Sequence, residues 1–206
     1  MRTLVIDSAT EACSVALFDD QMLVAGDFRM LGRGHAEQLV PMIAALPEGG
    51  RADRIAVALG PGSFTGVRVG LAAARALAFA WRATLIGYPT LDLIAAMARD
   101  AKGAQPVAIV MTGGHGEWFV QGFSASGTPN APLASLIPAD AAARTGEALV
   151  AGSQAETLVA ARGSGEALPL WPDARAFPLL PPLALTEAVQ PLYGRAPDAK
   201  LPQGAQ

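Results

Sequence analysis

The stretch from Arg54 to Trp81 constrains the fold more than any other, because an apolar run, a glycine-rich turn and a long alanine-rich segment follow one another without interruption. Ile55-Ala56-Val57-Ala58-Leu59 is short, apolar and closed by glycine, which predicts a buried strand. Gly60-Pro61-Gly62-Ser63-Phe64-Thr65-Gly66 then lets the backbone turn tightly and approach a neighbour with no Cβ in the way. Ser63 or Thr65 is placed to cap a helix whose body runs from Val67 to Trp81. Such a strand, loop and helix start gathers backbone N–H groups at the positive end of a helix dipole. Two readings stay open: Gly60, Gly62, Ser63, Thr65 and Gly66 are candidate anion or nucleotide contacts, or the glycines serve close packing alone. A Walker phosphate loop is excluded, since Thr65, Gly66 and Val67 stand where Gly, Lys and Ser or Thr are required.

The helix after this turn is apolar nearly all round. Gly66, Gly70, Ala73, Ala74, Leu77 and Trp81 fall on one side, Val69, Ala72, Ala76 and Phe79 or Ala80 on another. Arg68, Arg75 and Arg82 recur every seven residues as the one polar stripe. A helix of this kind is expected between a sheet and a second helix or another subunit. Its three arginines exclude a membrane span.

With 206 residues, 51% of them hydrophobic, the chain can bury one large core or two small ones. A net charge of −3 argues against gripping DNA or RNA unaided, because neutralising phosphates needs a basic face. The single Cys13 excludes an intramolecular disulfide and fits a reducing compartment. Met1-Arg2 leads straight into an apolar run with no signal-peptide pattern, so a cytoplasmic location is expected.

In chain order, Leu4-Val5-Ile6 enters Asp7, Ser8 to Glu11 turns, and Cys13 to Phe18 returns as the second arm of a hairpin. Met22 to Phe28 continues as a third strand, and after the Gly32-Arg33-Gly34 break an amphipathic helix runs from about His35 to Leu46. This meander followed by helix, strand and helix is the order of ribonuclease H-like domains, which build the actin-like ATPases as duplicated pairs. The expected fold is therefore α/β and two-lobed, actin-like, with duplicated β-β-β-α-β-α lobes and the second abbreviated. The first lobe is placed at residues 1–102 and closes with a strand over Thr84 to Tyr88 and a helix from Thr90 to about Ala101. The degenerate second lobe is placed at 103–206. It has a hairpin from Val107 to Met111 and Glu117 to Phe123 around Gly113-Gly114-His115-Gly116, then a strand over Leu133 to Ile137 and a short helix from Pro138 to Arg144. A strand over Ala148 to Gly152 follows, and Ser153 is placed to cap a helix from Gln154 to Ala161. Beyond Gly163 proline rises sharply, which predicts an extended run over the surface, and the residues from Ala196 read as a tail.

Three segments together resemble the bacterial TsaB (YeaZ) family: Ile6 to Leu17, His35 with Leu39-Val40-Pro41-Met42, and Gly60-Pro61-Gly62-Ser63-Phe64-Thr65-Gly66-Val67-Arg68-Val69-Gly70. The likeness covers roughly the first hundred residues and weakens afterwards, where Thr112 stands in place of the family's usual Asp. The resemblance implies an actin-like pseudo-enzyme that serves as a non-catalytic scaffold subunit in threonylcarbamoyladenosine modification of tRNA. It implies a catalytic paralogue, TsaD, as partner, the ATPase TsaE as third component, a homodimer when alone, and tRNA contact only through the complex. No intrinsic cofactor is implied, with ATP or ADP and Mg entering only within the complex. The implied partner face comprises His35, Leu39, Met42 and Ile43 on one helix and Val69, Ala72, Ala73 and Ala76 on its neighbour.

Catalytic paralogues carry two histidines four residues apart on the helix that here begins at His35, a spacing that puts both imidazoles on one face for a metal. Here the second position is Leu39, so no metal site is expected. Asp7 ends the first strand, where actin-like ATPases and sugar kinases hold a magnesium-associated carboxylate, and an autonomous ATPase or small-molecule kinase is the alternative function. Its other role is to cap the following turn. Cys13 reads as core, and Ser63 has neither the frame nor the base of a nucleophile.

Overall fold

The computed structural model describes residues 1–194; the tail expected from Ala196 lies outside the described residues. Three antiparallel strands, β1 (Arg2–Asp7), β2 (Ala12–Asp19) and β3 (Met22–Met30), form the meander. β4 (Arg54–Ala58) adds parallel to β1 and β5 (Thr84–Tyr88) parallel to β4, giving the order β3-β2-β1-β4-β5. The second sheet repeats this plan with β6 (Val107–Thr112), β7 (Trp118–Phe123), β8 (Ala134–Leu136), β9 (Leu149–Ala151) and β10 (Glu166–Leu168) in the order β10-β9-β6-β7-β8. Each sheet thus has a three-strand meander at one end and two parallel additions at the other, the ribonuclease H-like order twice over. The fold is α/β and two-lobed, of the actin-like kind.

Helices α1 (His35–Ala44) and α2 (Phe64–Trp81) lie side by side on one face of the first sheet. The long helix α3 (Thr90–Lys102) is a wedge between the sheets. Its Leu93 enters the core of the first, while Leu91, Ile94, Ala95 and Ala98 enter the core of the second with Val107, Ile109 and Phe123. The outer face of the second sheet is covered by α4 (Pro138–Arg144) and α5 (Ala155–Arg162), seven and eight residues long, so this lobe is the abbreviated one. Ser153 does not cap α5. Its hydroxyl accepts from the Thr112 amide at 3.0 Å, and Gln154 takes the cap position. Strand β10 was not anticipated, because its three residues sit where proline and glycine begin to dominate.

The proline-rich segment departs from the expected surface run. After β10 the chain recrosses to the first sheet and forms two 3-10 turns, Ala174–Leu179 and Pro182–Ala184. Ala174, Phe177 and Leu180 are buried in the first core, on the face opposite α1 and α2. Phe177 packs against Tyr88 and Phe18 with ring centroids 5.8 and 6.4 Å away, and the Ser14 hydroxyl donates to the Pro172 carbonyl while accepting from the Ala174 amide. Thr186 then exchanges two backbone bonds with Gly87 at 2.8 and 3.0 Å, pairing the open edge of β5 at that one position. Prolines shorten the turns but leave the apolar side chains between them free to face inward.

Truncating Phe177 opens a cavity in a core that lies outside the second lobe. Phe177→Ala is expected to cost about 3 kcal/mol in urea melts; a loss below about 1 kcal/mol would show that the recrossing segment is not part of that core.

Candidate functional site

The glycine-rich turn after β4 is seated on the turn between β1 and β2. The Ser63 amide donates to the Ala9 carbonyl at 2.7 Å, the Ser8 hydroxyl donates to the Gly66 carbonyl at 2.9 Å, and the Gly66 amide donates to the Ser63 hydroxyl at 3.2 Å, which caps α2. A Cβ on Gly62 would strike the Ala9 carbonyl oxygen, and one on Gly66 would strike that of Ser8. Gly60 sits at φ +90°, and the Gly60-Pro61 bond is cis. The packing account therefore explains Gly62 and Gly66 fully, and two of the helix-start amides are already engaged.

A cleft of about 650 Å³ opens between this turn and the β6–β7 hairpin of the second lobe. Ser63, Phe64 and Arg68 line it from one side, Thr112 and His115 from the other, and Tyr193 of the recrossing segment lines it too. The Arg68 guanidinium lies 3.5 Å from the centre of the Phe64 ring and donates to the Tyr193 hydroxyl at 3.0 Å. Glu11 is the one carboxylate lining the cleft among the described residues. A magnesium nucleotide is held through one or two carboxylates together with its own phosphates and water, and Glu11 is the one this cleft offers, Asp7 being the other candidate.

Asp7 does not reach the cleft. It is 0% exposed and its carboxylate accepts from the Ala9 amide at 3.0 Å and from the Tyr88 hydroxyl at 3.3 Å, so it caps the turn from inside the core. Burial pushes its pKa up to about 7, against the pull of Ala9 and Tyr88, and the negative charge of Asp173 in the recrossing segment adds to the rise. Of the nucleotide candidates, Gly62 and Ser63 border the cleft, whereas Asp7 is turned away from it. Burial likewise holds the Cys13 thiol up at about 12, which leaves it protonated and unreactive. Among the described residues no three His, Cys, Asp or Glu side chains are grouped so as to hold a metal.

The expected partner face needs correction on α1. His35, Leu39, Met42 and Ile43 are all buried, the last three in the first core, and the His35 ring lies 3.3 Å from the Ala12 carbonyl. The apolar helical period that grouped them is the period of an inward face, and side chains without accessible surface meet no partner. On α2 the assignment divides: Ala72 and Ala76 are exposed, Val69 and Ala73 half-buried. The outward face adds Phe79, 89% exposed, and Val40, 58% exposed, on α1. Val40 was legible in principle, since it falls about 100° round the helix from Leu39, at the side of the inward stripe, and yet is apolar.

The family model of TsaD, tRNA N6-adenosine threonylcarbamoyltransferase, matches residues 29–160. The tRNA threonylcarbamoyladenosine biosynthesis protein TsaB of Escherichia coli is 39% identical over 124 residues, 58% of this chain and 53% of that protein. Its namesake in Haemophilus influenzae is 37% identical over 113 residues, 50% of this chain and 46% of that one. The chain thus spans about half the length of the relatives it matches. The solved structure of YeaZ from Pseudomonas aeruginosa superposes with a TM-score of 0.76 at 27% identity, covering 93% of this chain and 99% of that one. No described helix is long and apolar enough to cross a membrane.

The raised Asp7 carboxyl makes stability depend on pH in a defined direction. Between pH about 4 and about 7 the folded state holds a proton that the unfolded chain has released, so this group's contribution is full below pH 4 and falls as pH rises to 7. The fall is expected to be roughly 3 to 4 kcal/mol. Asp7→Asn keeps the turn bonds without the charge; urea melts across this range should show the decline in wild type and not in the variant, and parallel curves would refute the assignment.

Proposed function

This chain belongs to the TsaB (YeaZ) family, and from that premise we propose that it is a non-catalytic scaffold subunit in the synthesis of threonylcarbamoyladenosine beside the tRNA anticodon, binding the catalytic paralogue TsaD. The observation that carries the reading is the outward apolar face of α2 and α1, where Ala72, Ala76, Phe79 and Val40 cover no core of their own chain. The match to a TsaD family model supports kinship between this chain and its proposed partner. Two related folds that both carry this helix pair can bury the face against each other.

The scaffold acts by differential binding: it binds TsaD better in the active arrangement and so populates that arrangement. No bond is made or broken in this chain. The inward position of Asp7, the carboxylate such an enzyme would use, supports this over an autonomous ATPase or kinase. TsaE and tRNA join through the assembled complex, ATP or ADP with Mg is used there, and all of it takes place in the cytoplasm. With TsaD absent the same face meets a second copy in a weaker pairing.

Ala76 is exposed and contributes to no core, so Ala76→Glu should fold normally. It is expected to weaken association with TsaD by at least about tenfold in light scattering, and to remove threonylcarbamoyl transfer by the mixture in proportion. Wild type that neither associates nor restores transfer, and that hydrolyses ATP by itself with loss on Asp7→Asn, would replace this reading with the kinase or ATPase one.

A further inference from the structure

Between Asp53 and Asp92 the sequence has no acidic residue and four arginines, although the whole chain carries a net charge of −3. Arg68, Arg75 and Arg82 of this run lie along α2 and at its C-cap, all exposed. Seven residues of helix advance about 10.5 Å and return to nearly the same azimuth, so Arg68 and Arg75 form one row, which Arg82 extends past the helix end at the left-handed C-cap. Their partners among the described residues are neutral: Phe64 and the Tyr193 hydroxyl for Arg68, the Val189 carbonyl at 2.7 Å for Arg75. Among the described residues no carboxylate lies within ion-pair distance of any of the three. By helical azimuth this row borders the stripe of Ala72, Ala76 and Phe79 on the side away from Ala73 and Leu77.

We infer that this row is the selectivity element of the α2 face, and that it favours a helical partner carrying carboxylates at seven-residue spacing over a second copy of this chain. The inference rests on the reading of that face as a docking surface. Self-pairing is opposed by geometry. A two-fold axis perpendicular to α2 runs the two copies antiparallel and sets one arginine row beside the other, so cation meets cation. Where α2 meets α2, a two-fold axis along it separates the rows but lays two helix dipoles parallel, like end beside like end. A partner with carboxylates on the matching flank relieves the first conflict, and repulsion against the wrong partner supplies specificity that apolar contact alone lacks.

The pairing is read on this chain alone, beside the TsaD binding of the preceding experiment. Sedimentation velocity is run on wild type, on Arg75→Gln/Arg82→Gln, on Arg75→Glu/Arg82→Glu, and on an equimolar mixture of wild type with the Glu variant, each checked for folding by circular dichroism. At about 0.01 M salt, where the screening length is about 30 Å, the mixture should pair roughly tenfold more tightly than either component alone. The Gln variant should self-associate more tightly than wild type, and both differences should collapse near 1 M salt. Equal self-association of all forms, or a mixture no tighter than its components, would overturn the inference. If TsaD binds wild type but the mixture shows no preference, the row is not selective and the scaffold reading stands; charge-switched pairing without TsaD binding would leave the row's role intact and sink the scaffold reading.

Discussion

The turn between β1 and β2 and the turn before α2 touch backbone to backbone, and the first lobe is arranged around that contact. Only residues without Cβ fit at Gly62 and Gly66, where the carbonyls of Ala9 and Ser8 press in. Because the Ser63 amide and the Gly66 carbonyl are bonded to the same turn, the first turn of α2 has little rotational freedom. Once its inner face is fixed by Val67, Leu71, Ala74 and Ala78, the azimuth of every other α2 side chain follows. The outward placement of Ala72, Ala76 and Phe79 is thus a consequence of two glycines some distance away.

On the other side of the same sheet the constraint is electrostatic. A carboxyl sealed in the core is tolerable only if its oxygens are bonded, and Asp7 has the Ala9 amide and the Tyr88 hydroxyl for this. Phe177 covers Tyr88, so the group that seals Asp7 is itself sealed by the recrossing segment. In an actin-like enzyme a carboxylate at this strand end would face the ligand. Here it holds its own turn, and the cleft is left with a stacked arginine, Glu11 and the rings of Phe64, Phe119 and Tyr193.

The α/β alternation, the meander and the strand–turn–helix at Arg54 to Trp81 were legible because each uses local signals: apolar period, glycine turns and a serine cap. The helices from Thr90 and Pro138 were legible for the same reason. What the sequence concealed was decided by long-range packing. The period that united His35, Leu39, Met42 and Ile43 announced an apolar face without saying whether a sheet or a partner covers it, and here it is the sheet. Whether packing requires glycine at position 62 depended on where Ala9 lies, some fifty residues earlier in the chain. The course of the proline-rich segment depended on a space for Phe177 formed by Phe18 and Tyr88, which no local pattern reveals.

That recrossing also orders events in time. Ala174 bonds to Ser14 across 160 positions of sequence, with the whole second lobe synthesised between them. At about 5 to 20 residues per second, a ribosome takes on the order of ten seconds to deliver the missing piece of the first core after Ser14 has emerged. Throughout that interval the sheet face around Phe18 and Tyr88 lacks its cover, and contacts of such long separation are slow to form. The lobe whose residues are made first is therefore the one that closes last, and the nascent chain spends its most adhesive moments with its N-terminal sheet open on one side.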